Sequence, residues 1–223
     1  MSKIILLMGA PGAGKGTQAR LLQERLAVPQ ISTGDIFRAL AQTQTSLADE
    51  VRAIQQAGCL IPDDLVIRVV EERTSRPDCE RGYVLDGFPR TAAQAEILEG
   101  LAARQGKSLV AILIDVPWDL LEKRMIGRRS CPVCGEIYNV FFRPPKNDSR
   151  CDLHPAAELM HRADDNEDKV RVRLETFRRE TAPVLEYYER TARLHRVDGT
   201  ADPEQIYSAI EFIVNGDHGF ATA

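Results

Sequence analysis

A run of small residues ending in lysine, Gly9-Ala10-Pro11-Gly12-Ala13-Gly14-Lys15, has the Gly-x4-Gly-Lys spacing of a phosphate-binding loop. Small residues let successive backbone N–H groups converge on phosphate oxygens. The helix start that follows adds partial positive charge, and Lys15 reaches the terminal phosphates. The residue after the lysine is Gly16, with Thr17 one step later, where such loops usually carry Ser or Thr. One helical step turns a side chain by about 100°. Any Mg2+ is therefore expected to be held largely by water and substrate phosphates. A second constellation is Cys131-Pro-Val-Cys134 and, after sixteen intervening residues, Cys151-Asp-Leu-His154. Two such pairs are the layout of a tetrahedral three-cysteine, one-histidine zinc site, with Asp152 and His161 as competing ligands. A set of four leaves no open coordination position, so the metal expected is structural, about one per chain. Exchanging a thiolate for imidazole also admits iron or cobalt.

These groups need rigid elements behind them. Short apolar runs at Lys3–Met8, Tyr83–Asp86, Val110–Val116 and Leu194–Asp198, with a weaker one at Gln30–Ser32, read as buried strands, each feeding a helical stretch. That alternation predicts an α/β domain with a parallel sheet covered on both faces. Thr91 with Gln94 reads as a capping box, and Asp202-Pro203 as an N-cap before a helix-starting proline. Leu65, Val66, Val69 and Val70 line one face of a helix from Asp63 to Arg76. Residues 32–61 are helical and polar, with no strand. Residues 127–165 hold the cysteine cluster and little periodicity, which is the signature of a separate small module. Asp164 to Thr191 reads as one long helix bent near Pro183, and Asn215 to Ala223 as a polar tail.

Composition narrows the function. The 223 residues are 43% hydrophobic and 28% charged, which excludes intrinsic disorder as the main description. A net charge of −4 argues against a nucleic-acid binder relying on bulk positive charge, though not against a local basic pocket. The apolar run Ile4 to Met8 is far too short to span a bilayer and lacks the flanks of a secretory signal. Five cysteines, an odd number, point to a reducing, cytoplasmic setting with thiols used for metal. Cys59 and Cys79 read as small apolar residues, and His195 and His218 have no evident partner.

Ile31-Ser-Thr-Gly-Asp-Ile-Phe-Arg38 and Leu85-Asp-Gly-Phe-Pro-Arg90-Thr-Ala-Ala-Gln94 extend the pattern. With the loop and the arginine motifs Arg124-x3-Arg128 and Arg162-Ala-Asp-Asp-x7-Arg173, the chain resembles the adenylate kinases from Ile4 to about Ile213. The resemblance implies a P-loop kinase core with a five-stranded parallel sheet, formed by 1–31, 62–126 and 166–223. It further implies a helical AMP-binding insertion at 32–61 and a metal-binding lid at 127–165. The reaction implied is reversible phosphoryl transfer from MgATP to AMP, giving two ADP. Gly12, Ala13, Gly14, Lys15, Gly16, Thr17, Arg124, Arg128, Ile137 and Tyr138 are implied to bind ATP. Thr33, Arg38, Leu60, Gly87, Arg90, Gln94, Arg162 and Arg173 are implied to bind AMP. Lys15, Asp86, Arg90, Arg128, Arg162 and Arg173 are implied to be catalytic.

Planar guanidinium forks suit a phosphate monoester, and the Gln94 amide offers one donor and one acceptor to the adenine edge. Asp86, beside the loop, can orient waters on Mg2+. Asp164 and Asp165 are implied to tie the arginines together, the bland alternative being a helix-start charge. Closure of the lid is that family's established gating motion. The expected protein is a monomer whose partners are ATP, AMP and ADP, without nucleic acid or membrane. A kinase for another nucleoside monophosphate is the nearest alternative. A GTPase would need an Asn-Lys-x-Asp motif, which the sequence lacks, and a zinc-ribbon nucleic-acid module fits the acidic balance poorly.

Overall fold

Five parallel strands form one sheet in the order β2-β3-β1-β4-β7 in the computed structural model, which describes residues 2–57 and 59–216. Their spans are β1 Lys3–Met8, β2 Gln30–Ser32, β3 Gly82–Asp86, β4 Ser108–Asp115 and β7 Leu194–Asp198. The period of two along each strand divides the core. Ile4, Leu6, Tyr83, Leu85, Ala111 and Leu113 face one side, while Ile5, Leu7, Val84, Val110, Ile112 and Ile114 face the other. Helices α4 (Asp63–Thr74), α5 (Ala92–Gln105) and α8 (Ala182–Arg190) cover the first face. Helices α1 (Lys15–Leu26), α6 (Trp118–Ile126), α7 (Glu167–Thr176) and α9 (Pro203–Gly216) cover the second. Being buried on both sides is why β1 and β4 read as unbroken apolar runs.

Register positions the site. Leu7 on β1 pairs with Asp86 on β3, so the loops leaving the two strands emerge side by side at the carboxyl edge of the sheet. In open parallel sheets that edge, where strand order reverses, is where ligands bind. Between β2 and β3 stand the short helices α2 (Thr33–Leu40) and α3 (Ser46–Gln56), capped by Ser32 and Thr45. Between α6 and α7 the antiparallel pair β5 (Arg128–Ser130) and β6 (Ile137–Asn139) forms a second sheet around its own cluster of Cys131, Tyr138, Cys151 and Leu159. Four such residues are too few to hold a module by burial alone.

Three local expectations change. The long helix starts at Glu167 instead of Asp164, because Asn166 caps it by accepting from the Lys169 N–H at 3.1 Å. It does not run on as one α-helix to Thr191, since a π-turn at Phe177–Thr181 separates α7 from α8. That wider turn comes just before Pro183, which has no N–H to continue the ladder. Asn215 and Gly216 belong to α9, whereas His218 and the rest of the expected tail lie outside the described residues. Thr91 does cap α5, accepting from Gln94 N–H at 3.2 Å, but the Gln94 side chain accepts from the Arg90 N–H in place of the Thr91 N–H. Leu85, fully buried on β3, reports on the core. Leu85→Ala is expected to cost about 3 kcal/mol in urea unfolding; a cost below about 1 kcal/mol would contradict a core centred on this strand.

Candidate active site

The loop after β1 has the shape its glycines allow. Gly9, Gly12 and Gly14 have φ of 139°, 87° and 101°, in the region L side chains avoid. At Gly12 a Cβ would also meet Met125 Cγ at 2.9 Å and the Leu121 carbonyl oxygen at 3.0 Å. Lys15 Nζ donates to the carbonyls of Gly9 (2.8 Å) and Ala10 (3.0 Å), curled back over its own loop. Burial lowers the Lys15 pKa to about 8; Asp86 opposes the shift, and Arg90, Arg173 and Arg128 add to it. A Cβ at Gly16 would lie 3.6 Å from Asp86 Oδ2 and 3.9 Å from Ile137 Cδ1, which sets the carboxylate and strand β6 at the mouth of the loop.

Across from the loop, Thr33 Oγ1 donates to the Gly87 carbonyl at 2.9 Å, and Arg90 Nε donates to the same oxygen at 2.7 Å. Arg38 pairs with Asp35 at 2.5 Å. Gln94, 1% exposed, donates from Nε2 to Asp63 Oδ1 at 2.7 Å and accepts from the Arg90 N–H at 2.8 Å.

The arginines converge from several elements. Asp165, with no exposed surface, takes Arg128 in a two-bonded fork (2.7 and 2.5 Å) and Arg173 at 2.9 Å; Asp164 takes Arg173 at 2.9 Å. The two aspartates thus bind arginines from β5 and α7 together, as the resemblance implied. Among the described residues, no carboxylate lies within salt-bridge distance of Arg90 or Arg162. Burial first, and then like charge from Arg173 and Arg38 at Arg90 and from Arg128 and Arg38 at Arg162, lowers both to about 10. Arg124 and Arg173 are lowered too, mainly by burial.

One cavity of about 1290 Å3 is bordered by most of these groups, though not by Asp63 or Asp165. Gly12 to Thr17, Thr33, Arg38, Leu60, Asp86, Gly87, Arg90, Gln94, Arg124, Arg128, Ile137, Tyr138, Arg162 and Arg173 all line it. Tyr138 does so with its hydroxyl committed elsewhere, accepting from the Asp152 N–H at 2.8 Å and lying 3.6 Å from Cys151 Sγ.

Beside the cavity, the ligand atoms of Cys131, Cys134, Cys151 and His154 all lie within 4.8 Å of one another. Cys134 Sγ and Cys151 Sγ are 3.8 Å apart, and Cys151 Sγ is 4.0 Å from His154 Nδ1. A tetrahedron with about 2.3 Å metal–sulfur bonds has edges of about 3.8 Å, so the set fits an ion of that class. Burial raises the Cys151 pKa, yet hydrogen bonding to Tyr138, His154 and nearby backbone outweighs it and brings the thiol to about 6, close to the thiolate a metal needs. Asp152 and His161 are not part of this cluster.

Sequence reasoning missed two groups. Asp63 supports Gln94 from another helix, and Glu136, 4% exposed, pairs with Arg20 of α1 and with Arg143 at 2.6 Å. Neither belongs to a motif; only the fold brings their partners near.

A family model described as adenylate kinase matches residues 7–193. A curated adenylate kinase of Thermodesulfovibrio yellowstonii is 44% identical over 207 residues, covering 92% of this chain and 96% of that one. One from Thermotoga maritima is 44% identical over 216 residues, covering 96% and 98%, and one from Clostridium novyi is 43% identical over 214, covering 96% and 99%.

Asp165→Ala leaves two buried guanidinium groups without their shared anion. A loss of about 3 kcal/mol or more in denaturant unfolding is expected, and a neutral substitution would contradict the arrangement.

Proposed function

The chain belongs to the adenylate kinase family, and from that premise we propose how its own residues carry the reaction. The enzyme transfers the terminal phosphoryl group of MgATP reversibly to AMP, giving two ADP, and so balances the adenine nucleotides. The observation that carries the assignment is one cavity bordered at once by the phosphate loop, the convergent arginines and Gln94.

ATP lies along Gly12 to Thr17, with Lys15 turning from its loop carbonyls to the phosphates, Arg124, Ile137 and Tyr138 around the nucleoside, and Arg128 on the phosphates. AMP is held by Thr33, Leu60 and Gly87, by Arg38 and Arg90 on its phosphate, and by Gln94 on its base. Arg162 and Arg173 take the transferring group with Arg128. Such a transfer spreads negative charge over oxygens, so positioned cations serve it more than covalent chemistry does. No side-chain base is needed, because the AMP phosphate oxygen is already the nucleophile. Asp86 orients waters on the Mg2+ that arrives with ATP, an ion held largely by water and the substrate phosphates whose charge it would neutralise. Residues 32–61 act as the AMP segment and 127–165 as a lid over a core of 1–31, 62–126 and 166–223. Closing that lid excludes water that would otherwise hydrolyse ATP. Cys131, Cys134, Cys151 and His154 hold Zn2+, with iron or cobalt as alternatives, as a staple for a module whose apolar core is four residues.

The working form is a cytoplasmic monomer acting on ATP, AMP and ADP, without nucleic acid. No described helix is long and apolar enough to cross a membrane.

ADP formation from ATP with AMP, GMP, CMP or UMP tests the reaction; AMP is the expected acceptor by a wide margin, and an equal rate with CMP or UMP would contradict it. The Lys15 pKa gives a signed pH dependence. Because folding lowers it to about 8, the empty site carries the ammonium below that pH and the neutral amine above it. MgATP affinity is therefore expected to hold to pH 8 and then to weaken, approaching tenfold per pH unit. Calorimetric titration with a Lys15→Arg protein, which stays charged, should flatten the profile. Wild-type affinity that is flat to about pH 10 would contradict the assignment. Metal analysis of protein purified without chelators is expected to give about one ion per chain, and no stoichiometric metal would refute the staple.

A further inference from the structure

The Gln94 amide has two chemically opposite ends and a fixed orientation. Asp63 Oδ1, at 2.7 Å from Nε2, belongs to a carboxylate that has no hydrogen to offer; the Arg90 backbone nitrogen, at 2.8 Å from Oε1, offers only a hydrogen. Turning the amide over would set oxygen against carboxylate and N–H against N–H in a site with 1% exposure. Asp63 is itself held: its Oδ2 accepts from Thr91 Oγ1 at 2.9 Å, and that hydroxyl accepts from the Gln94 N–H at 3.2 Å. It also opens helix α4, where a carboxylate complements the positive end of the helix dipole.

These bonds use one of the amide's two N–H groups and one of its two lone pairs. One donor and one acceptor are left, in an order the protein dictates. Adenine matches that order, with N1 accepting and the 6-amino group donating. Hypoxanthine and guanine present the reverse, a donating N1–H beside an accepting O6. A glutamine free to turn over would serve both edges; a locked one serves adenine alone.

We propose that Asp63 sets the base selectivity of the acceptor site by locking the Gln94 amide. The proposal rests on the reading of Gln94 as the residue that meets the base. Asp63 is not among the residues lining the cavity, so it is a positioning residue that acts through Gln94.

The test is kcat/KM with ATP and either AMP or IMP as acceptor, for wild type, Asp63→Asn, Asp63→Ala and Gln94→Ala, each checked for folding by thermal unfolding. An asparagine presents either amide end, so Asp63→Asn keeps the shape but removes the carboxylate's half of the lock, leaving only the Arg90 N–H to oppose a turned-over amide. The AMP:IMP ratio is expected to fall at least about tenfold in both Asp63 variants, with IMP turnover rising in Asp63→Asn, since unpaired groups in a built site carry discrimination of that order or more. Gln94→Ala should also collapse the ratio. If Gln94→Ala collapses it while both Asp63 variants keep it, or lose AMP and IMP turnover in parallel, the lock is overturned and the reading of Gln94 stands. If Gln94→Ala leaves the ratio unchanged, Gln94 does not read the base, and the proposal falls with that reading.

Discussion

Positive charge crowded into one cavity is the constraint on which the rest of the structure turns. Lys15, Arg90, Arg162 and Arg173 all have pKa values lowered by folding, by burial first and then by neighbouring arginines, Arg128 or Arg38 among them in each case. A cation whose pKa falls on folding makes the empty protein less stable at neutral pH than an ordinary surface cation would. The sheet and its two apolar faces supply the stability that offsets this, and Asp165 and Asp164 answer only part of the charge. The remainder is what a pair of nucleotides with several phosphates would neutralise.

Each element serves that concentration in a definite way. The β1–β3 register delivers the phosphate loop and the Asp86–Arg90 turn to one edge. The module between α6 and α7 carries Arg128 and Arg162, and its buried Glu136 is paired to Arg20 on the helix that begins at Lys15. Thus the module that carries these arginines is tied to the helix that follows the glycine-rich loop. Its own core is small enough that a metal-sized tetrahedron of ligands makes structural sense there.

Much of this was legible in the chain. Fully buried strands announce themselves as apolar runs, and phosphate loops and zinc knuckles are local in sequence, so spacing alone carries their chemistry. Helix ends were less legible: the start at Glu167 depends on the Asn166 cap, and Asp165 is drawn instead into the arginine cluster. Long-range polar partners were illegible. Asp63 and Gln94 are 31 residues apart, and nothing in either segment says that one orients the other. Gln94 shows the cost of purely local reading: three residues after a threonine it suggests a capping box, yet its amide completes a different set of bonds.

Arg162 separates a cation kept for the fold from one kept for the ligand, since among the described residues no carboxylate lies within salt-bridge distance of it, while burial, Arg128 and Arg38 lower its pKa. The decisive measurement is the urea unfolding free energy of wild type and Arg162→Met, each alone and with saturating ATP and AMP. Without nucleotide the variant should be at least as stable as wild type, and with nucleotide it should gain far less. A variant less stable than wild type by more than about 1 kcal/mol in the absence of nucleotide, with an undiminished gain on binding, would contradict a pocket whose cations are held for phosphate.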